Sequence, residues 1–234
     1  MDRKILIPCA VLIFIFVFVL KGSLFADGNL KVNVFAIVSE PIQNQVKEAG
    51  KELQSQESLQ SFTERGYQIH CTLYMTNYDS SKLKDIASQV ENYAKGVKSF
   101  DVNSLGISKT ANDWLFINIA KNKELQSLSD ELVTNLSPLR AQNQSIPAWA
   151  KNDPEKLEYI KKYGSPNVFN QFSPHLTLLA KTDGSKLNEF LEKNKNNQAL
   201  TGKVSGKIEG IGYGFADGDG QIKKPEAVFY FPKN

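Results

Sequence analysis

Histidine and cysteine are scarce in this chain of 234 residues, which contains two of each. Two imidazoles, with no cluster of acidic residues to join them, are a thin ligand set, so a metal centre is a poor hypothesis. Two cysteines cannot form the dense framework of a small disulfide-stabilised protein. Basic and acidic residues nearly balance, at 28 and 25, so no strong overall field attracts nucleic acid polymers.

The first 26 residues differ from the rest of the chain. Arg3 and Lys4 form a short basic head, an apolar run follows from Ile5 to Leu20, and the segment ends on the small residue Ala26. This arrangement is typical of a secretory signal peptide. We therefore expect cleavage after Ala26 and a mature protein in the periplasm or outside the cell.

A membrane anchor is the alternative interpretation of residues 1–26. As a helix, the apolar run of 16 residues would reach only about 24 Å, less than the roughly 30 Å hydrocarbon core. Lys21, directly after the run, nevertheless suits the flank of an anchor. If the segment stays, it is the expected membrane contact. If it is removed, Cys71 is the sole cysteine and no intramolecular disulfide can form.

The pattern of residues 27–234 predicts alternating strands and helices. We expect them to form one domain, because 41% of the chain is hydrophobic, enough for a sizeable core. Strands are predicted at 30–39, around His70, and at 98–108, 113–120, 174–181, 203–215 and 226–232. Helices are predicted from 40 to about 62 and at 80–96, 123–136 and 184–195.

Residues 138–172 interrupt this alternation. They contain four prolines and only a short helical pattern, "PEKLEYIKKY", which indicates an irregular crossover. On both sides of it the elements follow the same order, a strand with a histidine, a helix, and two strands. The sequence therefore predicts a duplicated α+β unit, with lobes of about 27–137 and 173–234.

Both histidines lie in the same four-residue pattern, HxTL, as "HCTL" and "HLTL". Alternate side chains of a strand share a face, so His70 shares a face with Thr72, and His175 with Thr177. The intervening residues point to the core. If the two lobes pack about a pseudo-twofold axis, the four polar side chains meet in one cleft.

Such a cleft suits phosphoryl transfer without a metal ion. Displacement in line at phosphorus needs a base on the attacking oxygen and an acid on the departing oxygen, and imidazole can fill either role near neutral pH. Threonine hydroxyls can hold the non-bridging oxygens, where charge accumulates. His70 and His175 are therefore candidate catalytic residues, and Thr72 and Thr177 are candidate substrate-binding residues.

With "HCTL" and "FSPHLTLLA", the sequence resembles the two-histidine (2H) phosphoesterase superfamily, in particular its RNA ligase-like, cyclic phosphodiesterase branch. The segment "VFAIVSEPIQNQV" is similar to the first strand and helix of that family. The segment "SKTANDWLFINIAKNKELQSLSDEL" is similar to its hairpin and the following helix. The resemblance covers residues 30–232.

The resemblance implies a bilobal α+β fold, in which two antiparallel sheets form a central groove and the helices lie outside. It implies hydrolysis of a 2',3'-cyclic nucleotide or RNA end, or cleavage of a 2',5' linkage, without a metal or other cofactor. In hydrolysis it makes His175 the base and His70 the acid, a direction that the residues themselves leave open. The implied partner is a nucleotide or short RNA-type substrate, with no long duplex, and we expect a monomer.

Two further features allow more than one interpretation. Tyr74 follows His70 at strand spacing, so it either stacks on a nucleobase or is a half-buried strand tyrosine. The "ADGDG" stretch at 216–220 has the composition of a calcium loop but lacks its sixth-position glycine and final acid, so we expect a turn. For the whole protein, the alternative function is a non-catalytic nucleotide-binding module that uses the same groove.

Overall fold

The computed structural model describes residues 28–142, 144 and 146–232. Residues 1–26, for which the sequence predicts an export signal or an anchor, lie outside the described residues. Within the described ranges, no helix is both long enough and apolar enough to cross a membrane.

Seven strands and six α-helices form the described part of the chain. The strands are β1 (Asn29–Val38), β2 (Cys71–Asp79), β3 (Phe100–Lys109), β4 (Leu115–Ile119), β5 (His175–Leu179), β6 (Val204–Phe215) and β7 (Ala227–Tyr230). The helices are α1 (Glu40–Glu57), α2 (Leu83–Gly96), α3 (Lys123–Leu136), α4 (Pro154–Tyr163), α5 (Gly184–Asn194) and α6 (Gln198–Thr201). The sequence predicts all of these elements except the single turn of α6.

Helix α1 ends about five residues earlier than predicted. Ser58 has the left-handed conformation, with φ 56°, and its backbone N–H bonds back to the last turn of the helix. A residue in this conformation stops a helix, so the chain turns away. Phe62 then enters the core, where its N–H donates to the carbonyl oxygen of Leu178 at 2.9 Å.

Six strands close into one antiparallel ring in the order β1-β2-β5-β4-β3-β6, and β7 pairs with β6 beside it. The length of β6 permits the closure. Its Val204–Ile208 part pairs with β3, while Ile208–Phe215 pairs with β1 along the other edge. The α+β class is therefore confirmed.

The prediction of two separate antiparallel sheets is wrong. Strands from the two halves alternate around the ring, because β5 of the second half lies between β2 and β4 of the first. Hydrogen bonds between the halves, and the pairing of β1 with β6, replace the free edges that two sheets would leave. The result is one continuous sheet with an inner and an outer face.

The helices pack on the outer face of this ring. On β1, the alternate residues Val32, Val34 and Ala36 are fully buried in the main core, where α1, α2 and α3 also pack. Phe35 and Ile37 point the other way and form a second cluster with Ile222 and Val228. Since the helices cover one face, the inner face of the ring carries this smaller apolar cluster together with the polar side chains described below.

The crossover between the halves contains α4, whose residues match the predicted helical pattern. Asp153 caps its first turn by accepting from the Lys156 backbone N–H, and Gly164 ends it with φ 72°. Two side chains of β2 fasten the end of this helix, because Tyr74 donates to the Tyr163 carbonyl oxygen and Thr76 to that of Gly164. The crossover therefore packs against β2.

A bulge in β3 helps to bend the sheet. The β3–β4 register shifts between Ser104 and Ile107, and Gly106 at that point has φ 80°. A side chain there would place its Cβ 2.3 Å from the carbonyl oxygen of Thr201. Both the backbone angle and the close approach require glycine.

Gly106→Ala should therefore lower the free energy of unfolding by about 2–4 kcal/mol, from backbone strain and the clash together. Gly96→Ala is the matched control, since nothing lies within 4 Å of the added methyl group. Because alanine favours helix, this variant should be neutral or more stable by up to about 1 kcal/mol. Urea unfolding of both variants measures the difference, and equal stabilities would show that position 106 does not require glycine.

Candidate functional site

One antiparallel residue pair, Cys71 with Leu176, joins the two HxTL segments. Both side chains lie in the main core, with 0% and 1% of their surface exposed. Because side chains alternate along a strand, the residues on either side of this pair point to the inner face of the ring. These inner-facing residues are His70, Thr72, His175 and Thr177. The structure thus brings the four polar residues of the two patterns to one surface.

The register of this pair sets the arrangement of the four side chains. Continued by one residue each way, it puts His70 opposite Thr177 and Thr72 opposite His175. Directly opposed residues in such a pair are about 4.5–5.5 Å apart, and diagonal ones about 7–8 Å. The imidazoles occupy one diagonal and the hydroxyls the other. This spacing leaves room for one phosphate group between the two imidazoles.

Both imidazoles are held by the same kind of contact. Nδ1 of His70 lies 2.8 Å from the carbonyl oxygen of Gln68, and Nδ1 of His175 lies 2.8 Å from that of Ser173. A carbonyl oxygen can only accept, so Nδ1 carries the proton in each neutral ring. Nε2 is therefore the atom of each histidine that can take up or release a proton in the groove.

Burial depresses the basicity of both histidines. His70 is only 5% exposed, and this burial lowers its pKa to about 4. The Gln68 carbonyl and Asp217 act to raise that pKa, whereas nearby His175 lowers it. Burial also lowers the pKa of His175, against the raising effect of the Ser173 carbonyl. Both rings are therefore neutral at pH 7 when the groove holds no ligand.

Aromatic rings fix the planes of both histidines. The ring of Phe116, on β4, stacks on His175 with centroids 4.0 Å apart and an interplanar angle of 20°. Phe35, on β1, meets His70 edge to face at 5.4 Å and 62°. Packing of this kind restricts rotation of the imidazoles, so each Nε2 keeps its direction.

Asn33 is a residue of this site that sequence reasoning missed. It lies on β1, is 0% exposed, and places its Nδ2 2.8 Å from Oγ1 of Thr72 and 3.2 Å from Nε2 of His70. The same Nδ2 donates to the carbonyl oxygen of Gly220 at 3.1 Å. A single polar residue within the apolar run "VNVFAIV" was the available signal.

The "ADGDG" stretch forms a turn, as predicted, and this turn reaches the site. Oδ1 of Asp217 accepts from the backbone N–H groups of Asp219 and Gln221, and Gly220 has φ 78°. The Asp217 carboxylate is thus engaged in holding the turn. By this means the turn presents the Gly220 carbonyl oxygen to Asn33.

Tyr74 does not share the face of His70 and Thr72. The pairing of β1 with β2 shifts between Val34 and Phe35, so that one extra residue of β2 lies between Thr72 and Tyr74. This bulge turns the Tyr74 ring into the main core, where it is 1% exposed. A ring buried in this way has no free face for a nucleobase.

Two other kinds of chemistry find little support in the described ranges. No three side chains of histidine, cysteine, aspartate or glutamate there lie close enough together to hold a metal ion. Cys71 lies beside His70 in sequence but points into the core, and burial raises the pKa of its thiol to about 12. A thiol in that state is a poor nucleophile.

The fold has a counterpart among solved structures. TT0787 of Thermus thermophilus matches with a TM-score of 0.53 and 14% identity, over 86% of this chain and 98% of that one. E. coli LigT in apo form matches with a TM-score of 0.48 and 9% identity, over 89% of this chain and 100% of that one. The likeness to TT0787 shows that the two chains share a fold.

A match in sequence shows which family the chain belongs to. Residues 75–214, more than half of the chain, match a family described as a protein of unknown function, DUF1045. The chain belongs to this DUF1045 family. The matched segment includes His175 and Thr177 but begins after His70 and Thr72. No curated protein sequence matches the chain.

Acid should destabilise the fold through His70. Because its pKa falls from 6.5 to about 4 on folding, the unfolded chain binds more protons between these values. Neutral His70 thus contributes about 3 kcal/mol to the free energy of unfolding. This contribution is complete above pH 6.5 and is lost as the pH falls. Urea unfolding between pH 4 and pH 7 should show this loss in the natural protein and a smaller one in His70→Gln. Equal losses would contradict the burial effect.

Proposed function

We propose that this protein is a metal-independent phosphodiesterase of the two-histidine phosphoesterase type. Its substrate is a cyclic phosphodiester, such as a 2',3'-cyclic nucleotide or RNA end, or a 2',5' linkage. The observation that carries the proposal is the convergence of two histidine and threonine pairs on one inner face, each imidazole with Nδ1 bound to a carbonyl. That arrangement presents two Nε2 atoms to one small volume.

The arrangement can perform both proton transfers of hydrolysis. One neutral imidazole takes a proton from the attacking water, and the other, protonated, gives one to the departing ribose oxygen. The hydroxyls of Thr72 and Thr177, on the other diagonal, donate to the non-bridging phosphate oxygens. A bound anionic phosphodiester raises the pKa of a nearby imidazole, which allows one ring to be charged in the complex.

Catalysis fits these histidines better than binding alone. A site that only binds an anion gains most from fixed positive charge. His70 and His175 both have a lowered pKa, so they offer little charge to a phosphate before it binds. Two titrating groups on either side of a phosphate are useful chiefly for moving protons. The two titrating groups therefore favour an enzyme over a nucleotide-binding module.

The oligomeric state, the partner and the location are proposed on separate grounds. Thr72, Thr177 and both histidines come from one chain, so a monomer is sufficient. The proposed partner is a nucleotide or a short RNA-type end, because the near balance of charge offers no strong field for a long duplex. We propose an exported protein, on the basic head and apolar run of residues 1–26.

Turnover of a substrate panel tests this function. In EDTA, the full-length protein should hydrolyse at least one of a set of 2',3'-cyclic nucleotides, 2',5'-linked oligonucleotides and cyclic-phosphate RNA ends. His70→Ala and His175→Ala should each lower kcat by roughly 10²- to 10⁴-fold, since each removes one proton transfer. The double variant should lose much less than the product of the single losses.

A control variant for this assay is Thr134→Ala, since the Thr134 hydroxyl donates to the Asp130 carbonyl oxygen on the exposed side of α3. It should keep full activity. Loss of turnover in EDTA with recovery on adding zinc or manganese would make the histidines metal ligands and end the acid–base proposal.

The threonines should contribute less than the histidines. Thr72→Val and Thr177→Val each remove one hydrogen bond to a charged oxygen, worth about 1.5–3 kcal/mol, and keep the side-chain shape. Each should therefore lower kcat/KM roughly 10- to 100-fold. Steady-state kinetics on the best substrate of the panel measures this. Unchanged kinetics in both variants would show that the hydroxyls do not touch the phosphate.

A further inference from the structure

Asn33 connects three groups around a single amide nitrogen. Its Nδ2 lies 3.1 Å from the Gly220 carbonyl oxygen, 2.8 Å from Oγ1 of Thr72 and 3.2 Å from Nε2 of His70. Its Oδ1 is buried without a hydrogen-bond partner in the part of the chain that the structure describes. A buried amide oxygen left unpaired is costly, so the three contacts of Nδ2 decide how the amide is oriented.

The Gly220 carbonyl fixes that orientation. A carbonyl oxygen can only accept, so the NH₂ group of Asn33, and not its oxygen, must face Gly220. The same NH₂ group then donates to Thr72, whose hydroxyl hydrogen is left free for another acceptor. Asn33 thereby turns the Thr72 hydroxyl into a donor that is available to a phosphate oxygen.

The same orientation acts on His70. An N–H group that faces Nε2 suits the lone pair of a neutral imidazole and opposes a proton on that atom. At 3.2 Å, and with two protons shared among three acceptors, this is the longest of the three Nδ2 contacts and the one most readily given up. Together with burial, it keeps His70 neutral in the free protein, and Nε2 can take a proton from water once the amide releases it.

His175 has a different neighbour. The face of the Phe116 ring lies 4.0 Å from the imidazole and nearly parallel to it. The face of an aromatic ring is its negative side, so it favours a cation beside it. His175 is also half-buried, whereas His70 is buried. Of the two histidines, His175 is the one more easily charged.

We propose that Asn33 is a positioning residue that fixes the direction of proton transfer, because it holds His70 as the general base and leaves His175 as the general acid. The inference rests on the proposed hydrolysis. It reverses the direction that the resemblance to the 2H family implies.

The water oxygen forms a bond to phosphorus while one water proton moves to Nε2 of His70. The bond from phosphorus to one ribose oxygen breaks, and that oxygen takes the Nε2 proton of His175. The products are a phosphate monoester, protonated His70 and neutral His175, and exchange of protons with solvent restores the starting state.

Other groups around His70 also affect its charge. Asp217, in the turn before β7, favours the protonated form, and His175, on β5, disfavours it. Phe35, on β1, contacts the ring edge to face. A test must therefore change Asn33 while these groups stay in place.

Nuclear magnetic resonance titration of the full-length protein provides that test, because the chain has only two histidines. Their Cε1–H signals are assigned from the spectra of His70→Gln and His175→Gln. In the natural protein His70 should titrate at lower pH than His175. In Asn33→Asp, a carboxylate replaces the N–H group, and the His70 titration should move up by at least one pH unit.

Asn118→Asp is the matched control. Asn118 is paired with His175 across β4 and β5, and its amide bonds to Ser108. The same charge placed there should leave the His70 titration within about 0.3 pH unit, since it acts first on His175. If Asn33→Asp does not fold, both histidine signals will titrate as in a free peptide. Asn33→Ala then replaces it, and the His70 titration should move up by about half a pH unit.

Kinetics test the direction. His70→Ala and His175→Ala are compared on a 2',3'-cyclic nucleotide and on a 4-nitrophenyl phosphodiester, whose leaving group departs without needing a proton. Loss of the general acid matters little on the second substrate, so His175→Ala should there lose at least about 10-fold less kcat than His70→Ala. The reverse order would make His70 the acid and overturn the proposal. An unmoved His70 titration would overturn the role of Asn33 while leaving hydrolysis intact. Absence of turnover in the natural protein would instead overturn the proposed function, and the base and acid assignments with it.

Discussion

The pairing of Cys71 with Leu176 is the contact on which the site depends. It brings two segments that are more than one hundred residues apart into a single antiparallel register. Because both of these side chains belong to the core, their neighbours must face the groove. A shift of one residue in either strand would bury the imidazoles and expose the apolar residues. The core that keeps this register therefore also keeps the four polar groups in place.

Closure of the ring gives this pairing its environment. With the helices on the outer face, the inner face is bounded by strands and by the turn at 216–220, and His70 lies deep enough for burial to lower its pKa. The same burial keeps the imidazole neutral until a charged ligand arrives. The buried polar residue Asn33 is tolerated next to His70 because its amide nitrogen has three partners, the Gly220 carbonyl oxygen, the Thr72 hydroxyl and the His70 ring. Fold and reactivity are thus set by the same interactions.

The local pattern of the sequence predicts much of this structure. Alternation and caps locate every strand and most helices, and the repeated HxTL pattern locates four of the site residues. Such local patterns do not predict contacts between distant segments. The pairing of β1 with β6 closes the ring, and the bulge before Tyr74 moves that ring off the histidine face. Asn33 meets Gly220 across 187 positions, so its role appears only when the chain is folded.

Catalysis by the two histidines can be tested with a crystal structure that contains a nucleoside vanadate, which imitates the transition state of phosphodiester hydrolysis. We expect a vanadium atom between the two imidazoles, with one apical oxygen about 3 Å from Nε2 of each histidine. The threonine hydroxyls should contact its equatorial oxygens. Vanadate bound on another surface, or in contact with one imidazole only, would contradict acid–base catalysis by the two histidines.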